Sequence, residues 1–259
     1  MTAIEIAFEE GVLILTLNRP DKKNALSDDM YRVLAEALEE AERDPATRVV
    51  MLKGAQGVFT AGNDLSDFAA VAAGGEKPKH AFRFLEALAR AEKPIVAAVV
   101  GLAVGIGVTV LLHCDLVYVA DDARLSTPFV NLALVPEAAS SLLLPARIGH
   151  ARAFAMFALG EPMLGETAAR LGIANAALPA AEVEAAALTA AKALSRRPLG
   201  SLMATKRLMR DAEAISQVMK REGEIFTERL RTAEAAEAFQ AFAQRRAPDF
   251  SKLSQKERP

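Results

Sequence analysis

One carboxylate interrupts an otherwise uncharged stretch. Glu137 sits in Asn131-Leu-Ala-Leu-Val-Pro136-Glu137-Ala-Ala-Ser140-Ser141, between a Leu/Val/Pro run and an Ala/Ser/Leu run. Apolar surroundings penalise the ionised form, raise a carboxylate's pKa and make it a useful base. Two earlier segments, Thr60-Ala61-Gly62-Asn63-Asp64-Leu65 and Gly101-Leu-Ala-Val-Gly105-Ile106-Gly107, have the composition of turns that open helices. Backbone N–H groups at such openings can hold a carbonyl oxygen as it gains charge. The combination points to proton transfer beside a carbonyl, with Glu137 as the base. A solvated loop acid and a cap for a helix from Ser140 onward are the alternative readings of Glu137 from its neighbours alone.

Other chemistries fit poorly. Gly105-Ile-Gly107 matches part of a dinucleotide fingerprint, but Thr109 and Val110 stand where a third glycine belongs, and no acidic residue ends a second strand at the required distance. His80, His113 and His150 lack metal-ligand spacing. Cys114 is the single cysteine, which excludes an intrachain disulfide and a Cys-rich zinc site. A net charge of -2 argues against a general nucleic-acid surface. The uncharged stretch Pro94–Leu112 holds three glycines, which suits a buried strand, a turn and a buried helix rather than a membrane span. Met1-Thr-Ala-Ile-Glu-Ile has neither a basic region nor a signal-like apolar core, so the expectation is a cytoplasmic protein.

These groups need elements to hold them. Ile4–Phe8 and Val12–Leu17 flank Glu9-Glu10-Gly11 and predict a hairpin. Ser27 can cap a helix with apolar residues at helical spacing from Met30 to Ala41, stopped by Asp44-Pro45. Strands follow at Val49–Leu52, Ile95–Val100 and Leu116–Ala120, alternating with helices around Leu65–Phe68, Phe82–Ala91 and from Ile106. That alternation predicts right-handed crossovers and a mostly parallel sheet. Asp64 is placed to cap the helix from Leu65. Ala69–Gly75 with Glu76–Lys79 reads as a mobile Ala/Gly-rich loop. Beyond Leu142 the pattern predicts helices near 142–147, 150–158, 166–171, 181–195, 199–211, 213–232 and 234–245, with no comparable strand signal. The fold class is α/β, with an all-helical C-terminal part beginning around residues 195–200.

The series Asn18-Arg-Pro20…Asn24-Ala25-Leu26, Ala61–Leu65, Lys93–Gly101, Gly105–Gly107, Cys114-Asp115 and Ala238–Phe250 resembles the crotonase, or enoyl-CoA hydratase/isomerase, superfamily. The likeness runs through nearly the whole chain in the right order. It implies a spiral of ββα units over residues 1–197, binding acyl-CoA thioesters, and a helical oligomerisation region over 198–259 in a homotrimer or a hexamer. It also implies that the backbone N–H groups of Asn63 and Ile106 hold the thioester oxygen. Lys22, Ala25, Leu26, Ala61, Gly62, Asp64, Leu65, Gly105, Thr109, Phe129 and Pro136 fall at substrate- or CoA-binding positions by the same likeness. No cofactor or metal is implied, and no nucleic-acid or membrane partner.

The carboxylate positions separate activities within that family. Hydratases carry two glutamates, where this chain has Thr109 and, in Ser126-Thr-Pro-Phe129, Phe129. Glu137 stands where hydratases usually have glycine, and its surroundings look like the peroxisomal-type Δ3,Δ2-enoyl-CoA isomerases. The resemblance thus implies movement of a 3-enoyl-CoA double bond to the 2-trans position, with Glu137 as proton shuttle. A hydratase, another crotonase-type reaction such as hydrolysis or dehalogenation, and a non-catalytic acyl-CoA-binding subunit are the competing expectations.

Overall fold

The computed structural model describes residues 2–65 and 79–253. β1 (Ile4–Glu9) and β2 (Val12–Leu17) form the expected hairpin, joined by Glu10 and Gly11, both at positive φ. Such a pair matches the twist of the flanking strands. β3 (Val49–Gly54), β4 (Ile95–Val99), β6 (Leu116–Ala120) and β9 (Ala176–Leu178) then add in parallel, completing a six-stranded sheet in the order β1-β2-β3-β4-β6-β9. Val49–Leu52 and all of β4 are buried, the continuous apolar pattern of strands covered on both faces.

A second sheet contains β5 (Leu102–Val104), β7 (Arg124–Ser126) and β8 (Met163–Leu164). The chain winds between the sheets: β4 passes through Gly101 into β5, and β6 passes through Asp121–Ala123 into β7. Each turn of this spiral leaves a strand in each sheet. Thr60 joins the small sheet through an isolated parallel bridge to Ala103. β8 and β9 lie beyond Leu142, where no strand was expected. At two and three residues, they are too short for an alternating pattern to register.

Ser27 caps α1 (Asp28–Arg43), its hydroxyl accepting the Met30 N–H. α1 packs on α2 (Ala81–Arg90). The helix expected from Ile106 is a single α-helical turn, α3 (Ile106–Thr109), which tightens into a 3-10 segment at Val110–His113. After it come α4 (Ser140–Ile148), α5 (His150–Leu159), α6 (Gly165–Leu171) and α7 (Ala180–Ser195), the last lying across β3, β4 and β6. α8 (Leu199–Met209), α9 (Ala212–Arg229) and α10 (Ala233–Ala243) make the helical C-terminal part. Buried Lys206 ties α8 to the core, donating to Asp115 at 2.8 Å and to the Lys93 carbonyl at 2.9 Å. Except for Leu65 and Lys79, the helix expected at Leu65–Phe68 and the loop expected at Ala69–Lys79 lie outside the described residues.

Candidate active site

Both glycine turns are built so that one backbone N–H remains over. In the first, the Thr60 hydroxyl donates to the Asn24 carbonyl at 2.7 Å and accepts the Gly62 N–H at 3.0 Å. The Gly62 carbonyl accepts the Leu26 N–H, and the Asp64 N–H donates to the Leu26 carbonyl. The Asn63 N–H between them has no acceptor among the described residues. Gly62 is at φ 92°, and a Cβ there would lie 2.8 Å from the Val104 carbonyl oxygen, so glycine is what lets the two turns approach. In the second turn, the Gly105 carbonyl accepts the Val108 and Thr109 N–H groups at the start of α3. The Ile106 N–H also has no acceptor among the described residues.

Asn63, Ile106 and Glu137 line one cavity of about 660 Å³. Its apolar wall includes Leu26, Phe82 and Leu85 from the first half of the chain and Met219, Phe226 and Leu230 from the C-terminal helices. Tyr31 also lines it, its hydroxyl donating to Asn63 Oδ1 at 2.5 Å. Asp28, Asp64 and Glu224 stand on the wall as well. Asp64 pairs with Arg19 at 2.8 Å, Asp28 accepts the His80 N–H, and Glu224 is exposed.

Glu137 differs from these acids. Burial pushes its carboxyl up to about 8, the nearby Glu222 carboxylate adds to that, and a hydrogen bond from Thr109 opposes it. The Thr109 hydroxyl donates to Glu137 Oε1 at 2.6 Å. This leaves Oε2 without a protein donor among the described residues. A carboxylate of that basicity, in one cavity with two uncommitted amides, can exchange a proton with carbon next to a carbonyl held by those amides.

The other anticipated positions separate into groups. Leu26 and Asp64 line the large cavity. Ala61, Gly62, Leu65, Gly105 and Phe129 line a second cavity of about 310 Å³, which shares Asn63 and Phe226 with the first. Thr109 is fully buried beside Glu137, and Pro136 is the residue before it. Ala25 is half-buried, its carbonyl accepting from Arg19. Lys22 is exposed in the 3-10 turn Pro20–Lys22 and lines neither cavity.

His113 and Glu222 brace the turn that carries Glu137. His113 Nε2 meets the Ala138 carbonyl oxygen at 2.8 Å, and its Nδ1 accepts from Arg210. That pattern puts the imidazole proton on Nε2, and burial holds the ring neutral, its pKa down at about 3. Glu222 accepts the Ala139 and Ser141 N–H groups at 2.6 and 2.9 Å. Sequence reasoning missed Glu222, yet a signal was there. It falls at i+7 on the buried stripe that Ile215 and Met219 begin, a charged residue where the pattern requires an apolar one.

The chain matches the protein family described as enoyl-CoA hydratase/isomerase over residues 7–254. It is 33% identical to the probable enoyl-CoA hydratase of Bacillus subtilis, over 96% of this chain and 99% of that one. It is 34% identical to the 1,2-epoxyphenylacetyl-CoA isomerase of Escherichia coli, over 94% and 96%. Against the enoyl-CoA delta isomerase 2 of Rattus norvegicus the identity is 33%, over 94% of this chain and 64% of that one. Among solved structures, OdaA of Pseudomonas aeruginosa is similar at 46% identity and a TM-score of 0.89, over 93% and 99% of the two chains.

Proposed function

The chain belongs to the enoyl-CoA hydratase/isomerase family, whose crotonase-type enzymes act on acyl-CoA thioesters, and within it we propose that this protein moves the double bond of 3-enoyl-CoA thioesters to the 2-trans position. The observation that carries this reading is the buried Glu137 carboxyl, its pKa raised, in the cavity that Asn63 and Ile106 also line.

The thioester oxygen takes hydrogen bonds from the Asn63 and Ile106 N–H groups. Ionised Glu137 removes a proton from C2, and the electron pair spreads over the thioester and the former C3–C4 double bond as a dienolate. The same carboxyl, now protonated, returns a proton at C4, leaving the double bond between C2 and C3. One carboxylate serves both carbons because they lie along one face of the extended dienolate. Negative charge grows on the thioester oxygen during the first step, so the two amides contribute most in the transition state. Thr109 holds Oε1 and leaves Oε2 to the substrate. The apolar wall takes the acyl chain. No cofactor or metal enters the scheme, coenzyme A being part of the substrate. A cytoplasmic homotrimer or hexamer completes the proposal.

The test is Glu137→Gln. The variant is expected to bind acyl-CoA as wild type does and to lose isomerisation by about a thousandfold. Turnover of 3-enoyl-CoA at the wild-type rate would sink the reading. The likeness to a probable hydratase supplies the second reading, addition of water. Loss of the enoyl absorbance of crotonyl-CoA on incubation with the wild-type protein would favour it.

A further inference from the structure

The turn presenting Glu137 is unfavourable backbone. Ala138 and Ala139 both have positive φ, 59° and 54°, a conformation that residues with a Cβ adopt in succession only where their surroundings impose it. Ala139 is also the residue that precedes α4, and it has no side chain with which to cap that helix. Glu222 takes over the task from α9. One of its oxygens accepts the Ala139 N–H and the other the Ser141 N–H, while His113 holds the Ala138 carbonyl from the other side.

Glu222 is an expensive cap. It is 7% exposed and has no ion-pair partner among the described residues. A serine or asparagine at position 139 would cap the helix without burying a charge. A buried carboxylate reaching across from another helix does something a local cap does not: it fixes the turn between Glu137 and α4 against a separate element. We propose that Glu222 is the positioning residue of Glu137, clamping the left-handed Ala138-Ala139 turn so that the Glu137 carboxylate is aimed into the cavity. This rests on the reading of Glu137 as the proton shuttle.

The clamp has an electrostatic consequence, since the two carboxylates repel and Glu222 adds to the basicity of Glu137. Glu137 is bonded by Thr109 from α3 and feels the charge of Glu222 from α9. Asp28 on α1, Asp64 beside the first turn, and Lys220 and Glu224 on α9 line the same cavity, while the neutral His113, backed by Arg210, lies behind the turn.

Two variants separate the clamp from general damage. Glu222→Gln removes the charge and turns an NH2 group toward one of the two N–H donors. The expected result is a loss in kcat on 3-enoyl-CoA of about tenfold to a hundredfold, with KM within about threefold of wild type. The Glu137 carboxyl, followed by carbon-13 NMR, should titrate below its wild-type midpoint. Glu222→Asp keeps the charge on a shorter arm, so kcat should fall while the midpoint stays near that of wild type. A wild-type kcat in folded Glu222→Gln overturns the proposal, as does an unmoved Glu137 midpoint in that variant. Should Glu222→Gln not fold, a wild-type kcat in Glu222→Asp overturns it. The titration requires no turnover, so it tests the coupling of Glu222 to Glu137 even if Glu137→Gln disproves the isomerase reading.

Discussion

Burial makes the ionised Glu137 more basic than a solvated glutamate, and the same burial costs the folded state whenever that group is charged. Its folded pKa of about 8 lies above the ordinary 4.5. Between those values the folded chain holds a proton that the unfolded chain has released. Stability from this group is therefore fully present below pH 4.5, declines as pH rises, and is lost above about 8. Glu137→Gln carries no such charge. Its melting temperature should equal or nearly equal that of wild type at pH 5 and exceed it at pH 9. The gain is expected to be about 1–3 kcal/mol, or a few degrees, because the cavity side of the carboxyl stays open to water. Thermal melts of both proteins at the two pH values check this. A gap that fails to widen with pH would mean that Glu137 titrates as a surface acid. Residue types alone singled out Glu137, since a lone acid in an apolar run is visible in one dimension, while leaving base, loop acid and helix cap open as its role. Its size of shift was not legible, because Thr109 and Glu222 come to it from 28 residues before and from α9 far downstream.

At the scale of elements, the two glycine turns behave as one unit. The Thr60 hydroxyl bridges Asn24 and Gly62, and its methyl Cγ2 is where a Cβ on Gly107 would arrive, 2.6 Å away. Gly107→Ala should push Thr60, and with it Gly62 and the Asn63 amide, away from α3. Losing one such donor costs about 3 kcal/mol, so kcat should drop roughly a hundredfold or more. Gly107→Ala combined with Thr60→Ser removes the clashing methyl, keeps the bridging hydroxyl and should recover much of the loss. Steady-state kinetics on the single and double variants decide it; no recovery would mean the turns are coupled through something other than Thr60. Long elements were legible in advance because each declares itself locally: Ser27 before a periodic helix, and the turn signal Glu9-Glu10-Gly11 between β1 and β2. β5, β7, β8 and β9 were not, since strands of two or three residues exist only through their neighbours. The 3-10 tightening after Thr109 was equally silent, for the same apolar residues suit either helix. Glu222 was half legible, its place on a buried stripe visible but its partner, 83 residues away at Ala139, not.

Taken as a whole, the molecule leaves large apolar side chains facing water. Leu208 and Met209, at the end of α8, are 89% and 82% exposed, and Phe242 on α10 is 60% exposed. Single exposed residues are ordinary, but adjacent ones this large at a helix end are a liability in a lone chain. The proposed trimer or hexamer would cover such surface. α9 faces inward with Met219, Glu222 and Phe226 on the site, so the C-terminal helices would link assembly to the cavity wall. Sedimentation at micromolar concentration should give a mass about three or six times that of the 27.6 kDa chain. Burying a side chain of this size is worth about 1.5–3 kcal/mol, so Leu208→Ser with Met209→Ser should weaken association by tenfold or more. A stable wild-type monomer would remove the assembly altogether. A double variant that sediments as wild type at every concentration would instead move the interface away from the end of α8.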